Sequence, residues 1–394
     1  MNRSAFLRAA AALAAGVALS APALAAPPIQ VGIDGEFGLM NSTSAQAVEL
    51  GVRLAVAEIN AAGGLLGGRR IEIVTKDHRS IAARGIRNIR EFAAMPQVVA
   101  VFGGRFSPVV LEQLPLLRQS HLPFLAVWSS ADAIVDNGSS PNYVFRLSLR
   151  DSLAMPFMLQ DAARRGLRKV GLMLTNTGWG RSNFAAANKY AVHHKEQAIV
   201  ATTWYNWQDQ VLVDKYNKLV DAGAQAVVLV ANDDEAAALV REVAALPAAR
   251  RVPIISHWGV TGGKFFTSAG PALQQVDFSV IQTFSFFQAH GPAFERFMAT
   301  ARKVAGIERI EQIESPVGVA HAYDMMHILA LAIQRAGSTE RPAVRRALEH
   351  VPAYDGLVQR YAPPFTPARH EALGPHNLLM ARYRADGVLV PASQ

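Results

Sequence analysis

Two hydrophobic periods take turns along this chain. Residues 29–33 form a short strand-like run that ends in the polar loop 34–44. In AQAVELGVRLAVAEINAAGG, Val48, Val52, Ala55 and Ile59 recur at helical spacing, and Gly63-Gly64 supplies the stop. RRIEIVTKD alternates as a strand, residues 80–95 predict a second helix, VVAVFGG a buried strand and residues 107–120 a third helix. Residues 122–127 are the next buried strand, and Ser129, Ser130 and Asp132 behind it are the types that cap and open a helix. This βαβαβαβ order implies a parallel sheet covered on both faces, with its crevice beyond the carboxyl ends of the strands.

The alternation restarts at RKVGLMLT, residues 168–175, with a helix after Trp179, a strand at 199–204 and a helix at 212–222. AQAVVLVAN predicts a strand, residues 233–246 a helix and VPIISHW, residues 252–258, a further strand. The expected fold class is therefore α/β, with two doubly wound parallel-sheet units joined through YVFRLSLRDS. From Gly291 onwards come two long helices, 293–305 and 317–336, and a Pro- and His-rich tail with short strand-like pieces over 354–391.

The first 25 residues stand apart. Arg3 and Arg8 flank a polar start, residues 9–19 are apolar, and Ala23-Leu24-Ala25 is a small-residue cleavage site, the pattern of a secretory signal peptide. Its apolar core is shorter than the ~20 residues that span a bilayer, and no later stretch reaches that length without a charge or Gly, so no integral membrane segment is expected after cleavage. The chain contains no Cys, which excludes a disulfide framework and a lipid-anchored N-terminal Cys. The net charge of +8 loses two with Arg3 and Arg8, and the remaining Lys and Arg are scattered among acids, so nucleic acid is not an expected partner.

Catalytic patterns are missing from the sequence. There is no Gly-x-Ser-x-Gly elbow, Walker phosphate loop, His-Glu-x-x-His or Gly-x-Gly-x-x-Gly after a strand. His193-His194 and His321 with His327 lack strong metal spacing, so no metal and no cofactor is expected. Chemistry gathers instead at the strand ends. Arg105, Phe106 and Ser107 follow VVAVFGG; Trp128, Ser129 and Ser130 follow LPFLAV; Asn176, Trp179 and Gly180 follow KVGLML; Asn232 to Glu235 follow AVVLV; His257, Trp258 and Gly259 follow VPIIS. An indole N–H wants a polar partner, so tryptophans at 128, 179 and 258 favour a ligand cleft. At a helix start, hydroxyls and free N–H groups favour an anion. Capping alone also accounts for Ser129, Ser130, Asp233 and Asp234.

In this order, VGIDGEFG, ELGVRLAVAEINAAGGLLGGRRIEIVTKD, VFGGRFSP, LPFLAVWSSAD, YVFRLSLRD, NTGWG, HWGVTGG and AYDMMHILALAIQRAGS followed by VRRALEHVPAYDGL make the chain resemble a known family. It is similar to periplasmic solute-binding proteins of ABC importers, of the Leu/Ile/Val-binding type. The resemblance implies two lobes, 26–147 with 283–352 and 148–282 with 353–394, joined by crossings near 146–148, 282–285 and 351–355. It further implies a periplasmic protein, not an enzyme, that closes on a small carboxylate-bearing solute and meets an inner-membrane ABC permease. Ser107 matches the family's carboxylate-binding Ser, Trp128 a main-chain contact and Ser130 a Ser/Thr position; Trp179 and Asn232 fall where covering Tyr residues stand.

One departure bears on the ligand. The Glu that pairs with an amino acid's ammonium is replaced by Trp258 or Gly259, beside His257, with Asp233 or Asp234 as the available substitutes. Both an amino acid and an aromatic or apolar acid therefore stay open, with Phe106, Ser107, Trp128, Ser129, Ser130, Trp179, Asn232, Asp233, His257 and Trp258 as the candidate site. Two rivals use the same residues. A periplasmic sensor would present its closed form to a membrane receptor, and a secreted hydrolase would need Ser107 within reach of His257.

Overall fold

The computed structural model describes residues 27–392; the expected signal peptide, residues 1–25, lies outside them. The first unit runs β1 (Ile29–Gly35), α1 (Ser44–Ala61), β2 (Ile71–Asp77), α2 (Ala82–Ala93), β3 (Val98–Gly103), α3 (Ser107–Gln119), β4 (Phe124–Ala126) and β5 (Val144–Arg146). Its sheet has the order β2-β1-β3-β4-β5 and is parallel throughout. Every residue of β3 is buried, as a strand covered on both faces requires, which is why VVAVFG reads as one apolar run.

The second unit follows with α4 (Asp151–Arg164), β6 (Lys169–Thr175), α5 (Gly178–His193), β7 (Ala198–Tyr205), α6 (Val213–Asp221), β8 (Ala226–Val230), α7 (Asp233–Ala244), β9 (Ile254–Ser256), α8 (Phe265–Ala269) and β10 (Phe278–Gln282). Then come α9 (Pro292–Ala305), α10 (Pro316–Ala336), α11 (Arg341–Leu348), the short pair β11 (Tyr354–Asp355) and β12 (Arg360–Tyr361), and the hairpin β13 (Leu379–Tyr383) and β14 (Leu389–Pro391). The second sheet has the order β14-β13-β10-β9-β8-β6-β7, with β13 and β14 added antiparallel to a parallel set. The alternation pattern passes over β10, FSVIQ, because a fully buried strand shows no period of two.

After β10 the chain returns to the first unit. α10 is long and apolar enough to cross a membrane, yet 83% of that stretch is buried, and it packs along α1. A Cβ on Gly51 of α1 would lie 2.2 Å from the Val319 carbonyl oxygen, so glycine lets the two helices approach backbone to backbone.

Two expectations need correction. The helix foreseen behind Ser129 and Ser130 does not form; only Asp132–Ile134 makes a 3-10 turn. Side chains from elsewhere take the backbone groups a helix would use. Ser107 Oγ accepts from Ser130 N and Ala131 N (3.2 Å each), Ser182 Oγ accepts from Asp132 N (3.1 Å), and Arg146 Nη1 donates to the Ala131 carbonyl (2.9 Å). The tail, expected to belong wholly to the second lobe, divides. Asp324 of α10 accepts from Leu357 N, Val358 N and the Tyr361 hydroxyl, and buried Arg146 forms a bidentate pair with Glu371, so 354–372 packs on the first unit. Only β13 and β14 join the second sheet.

Candidate functional site

The two units meet at the carboxyl ends of their strands. Thr43 N donates to the Gly262 carbonyl (2.9 Å), Ser42 and Gly263 form an antiparallel bridge, and Ser315 Oγ donates to the Thr261 carbonyl (2.7 Å). In this junction Phe106, Ser107, Trp128, Ser130, Trp179, Asn232 and Trp258 line one cavity, joined by Arg105, Pro108, Trp207 and Gly259. Ser129, Asp233 and His257 are buried beside it and do not line it. The sequence reading thus brings most of its site residues to one cavity; it names Arg105 at a strand end without counting it in the site, and it misses Trp207. Trp207 follows β7 just as Trp128 follows β4, so the strand-end rule reaches it too.

Asp233 is not free to meet a ligand's ammonium. Arg105 Nη1 pairs with Asp233 Oδ1 at 2.7 Å and donates to the Gly259 carbonyl at 3.1 Å, and both side chains are buried. Burial pushes the Asp233 carboxyl above its ordinary range, and the Arg105 charge opposes that shift. The pair ties the loop after β3 to the first turn of α7. A Cβ on Gly263 would lie 1.9 Å from Asp233 Oδ2, so the carboxylate fits only against a glycine. Asp234, the other candidate, is taken on the exposed rim by the Asn41 amide (2.9 Å).

A second buried network orients the aromatic rings. Asp151, at the start of α4, donates its backbone N–H to the Ser130 carbonyl (3.0 Å). Its Oδ1 accepts from Trp179 Nε1 (3.2 Å) and His257 Nε2 (3.1 Å). Trp258 N donates to His257 Nδ1 (2.9 Å), so the proton of a neutral His257 ring sits on Nε2. Both ring nitrogens are then engaged, which leaves His257 no lone pair for Ser107 and removes the hydrolase arrangement. Asp151 carries no local sequence signal beyond its place at a helix start.

The chemistry left facing the cavity is apolar, with N–H and O–H donors and the Asn232 amide, and no carboxylate among its lining residues. Trp128 and Trp258 stand with ring centroids 5.8 Å apart, and Phe106 meets Trp207 edge-on at 5.3 Å. Trp128 Nε1, Trp207 Nε1 and Arg105 Nε are buried without a partner among the described residues. The Ser107 hydroxyl accepts from two amides and keeps its own proton to donate. The cavity measures about 10 Å³, room for the centre of one water-sized sphere. A ring-sized solute enters only when the two units part.

The fold coincides with that of known proteins. A model described as periplasmic binding protein matches residues 28–387, and the chain belongs to that family. Its fold is that of the type I periplasmic binding proteins. A type 1 periplasmic binding protein from Bordetella pertussis Tohama I superposes with a TM-score of 0.82 at 22% identity, covering 93% of this chain and 100% of that one. A solute-binding protein of an ABC transporter from R. palustris, in complex with 4-hydroxybenzoate, superposes with a TM-score of 0.77 at 17% identity, covering 93% and 96%. A branched-chain amino acid transporter substrate-binding protein from Streptococcus pneumoniae, in complex with isoleucine, superposes with a TM-score of 0.75 at 20% identity, covering 93% and 100%. At these identities the likeness establishes the fold. No curated protein sequence matches the chain.

Proposed function

We propose that this protein is the solute-binding component of an ABC importer and that its solute is a small aromatic carboxylate. In this reading residues 1–25 direct export to the periplasm, two lobes close around the solute, and the closed form is presented to an inner-membrane permease. The lobes are residues 27–147 with 283–372, and 148–282 with 373–392. One observation carries the ligand class: the cavity joins indole and phenyl faces to N–H and O–H donors, while the nearby carboxylate, Asp233, is spent on Arg105. A carboxylate head group finds donors in Ser107, Trp128, Trp207 and Arg105, and a flat ring finds Trp128, Trp258 and Phe106. An α-amino acid would bring an ammonium into a cavity that no carboxylate lines; the unpartnered Asp151 Oδ2 lies behind Trp179 and His257. Relatives of the same fold are described in complex with 4-hydroxybenzoate and with isoleucine, so both outcomes have precedent in the fold.

Thermal unfolding in separate panels of benzoates and aliphatic amino acids tests this. A ligand at a hundred times its dissociation constant adds about 2.7 kcal/mol. An upward shift with benzoates alone is expected. A shift with leucine or isoleucine alone overturns the ligand class.

A further inference from the structure

A second cavity, of about 420 Å³, lies apart from the tryptophans, where the chain leaves β10, approaches α10 and folds into the β13–β14 hairpin. That volume suits a small organic molecule. Its wall is aromatic, with Phe284 and Phe286 both buried and Phe266 and Tyr383 half-buried beside them. Gln282, 1% exposed, also lines it: its Nε2 donates to the Ile281 carbonyl at 2.7 Å, and its Oε1 has no partner among the described residues. The unsatisfied group is an acceptor, so its complement is a donor. Glu311, Glu314 and Asp386 stand at the rim against Lys264 and Arg384, which pairs with Asp386 at 2.6 Å and also faces Glu311, so one negative charge is left over and Glu314 is the acid outside Arg384's pairing.

We propose that this cavity is a second ligand site, for a small aromatic amine. Its ring packs among Phe284, Phe286 and Phe266. Its ammonium donates to Gln282 Oε1, with the aromatic faces and the acidic rim stabilising the positive charge. The charge preference is opposite to that of the tryptophan-lined cleft, so one molecule does not serve both. The wall draws on Thr43 of the first unit and on Thr261 and β13 of the second, so an occupant bridges the two.

Calorimetric titration of the purified protein with phenethylamine, and separately with 3-phenylpropionate, tests the assignment. Saturable phenethylamine binding is expected, persisting in the presence of benzoate and weakened at least tenfold by Glu314→Lys, while benzoate binding by that variant stays unchanged. Ala381→Phe, which fills the cavity from β13, abolishes amine binding. Because Ala381 is buried and its variant can fail to fold, the exposed Glu314 keeps the test decisive. Absence of saturable phenethylamine binding, displacement by benzoate, equal binding of 3-phenylpropionate, or an unchanged Glu314→Lys each overturns the proposal.

Discussion

Ser107 does two jobs with one hydroxyl. Its oxygen accepts the buried amides of Ser130 and Ala131, which fixes the chain behind β4, and its proton is left free to donate at the cavity that Ser107 lines. Ser107→Ala therefore leaves two buried donors unpaired, and loss of about 1–3 kcal/mol in urea unfolding is expected. If the proposed carboxylate is the ligand, loss of its hydrogen bond to Ser107 removes about 1.5–3 kcal/mol of affinity, or roughly tenfold and more, read by titration with a benzoate.

His321 is a residue whose cost depends on pH. Burial depresses its imidazole to about 4, with its bond to the Val127 carbonyl opposing the shift; Thr283 Oγ1 lies 2.9 Å from its other nitrogen. Between pH 6.5 and 4 the unfolded chain binds a proton that the folded one refuses, so its contribution is lost as the pH falls. Asp34 and Asp324 run the other way. Burial raises each to about 6, so between pH 6 and 4 the folded chain holds the protons and gains stability as the pH falls. His321→Gln removes only the losing member. The stability of the variant relative to the parent is expected to rise by about 3 kcal/mol from pH 7 to pH 4, measured by denaturant unfolding at each pH. A difference that stays constant across that range sinks the assignment.

At the scale of elements, the alternation of periods placed most helices and parallel strands to within a few residues, because burial on two faces or on one stripe is written in the local pattern. Where it failed, partners distant in sequence decide. Nothing near Ser129 announces that Arg146, Ser107 and Ser182 will take its neighbours' backbone groups. Nothing near Asp233 announces Arg105. Strand ends were legible as places for chemistry, whereas pairing across them, such as Asp151 with His257, was not. The small-residue contact of α1 with α10 is also invisible locally, since Gly51 sits mid-helix where glycine only weakens a helix. Gly51→Ala is expected to wedge a Cβ against the Val319 carbonyl and to cost about 1–3 kcal/mol or more in urea unfolding, where an open helix site would gain from the change.

For the whole molecule, the Arg105–Asp233 pair is a latch between the two units. Both ends are buried where the units meet, and in the proposed opening motion the parting of the units would return both to water. Removing one partner of a buried pair costs about 3–5 kcal/mol if the other stays buried. In Asp233→Asn the guanidinium escapes that cost when the units open, so the variant populates the open form with little global destabilisation. Small-angle scattering without solute is expected to give a larger radius of gyration for Asp233→Asn than for the parent, and saturating benzoate contracts both to one value. The variant's affinity falls by the same factor that its closed population falls, because binding now has to supply the closure. A variant with the parent's radius and a lowered melting temperature would show that the pair holds the fold instead of its closure.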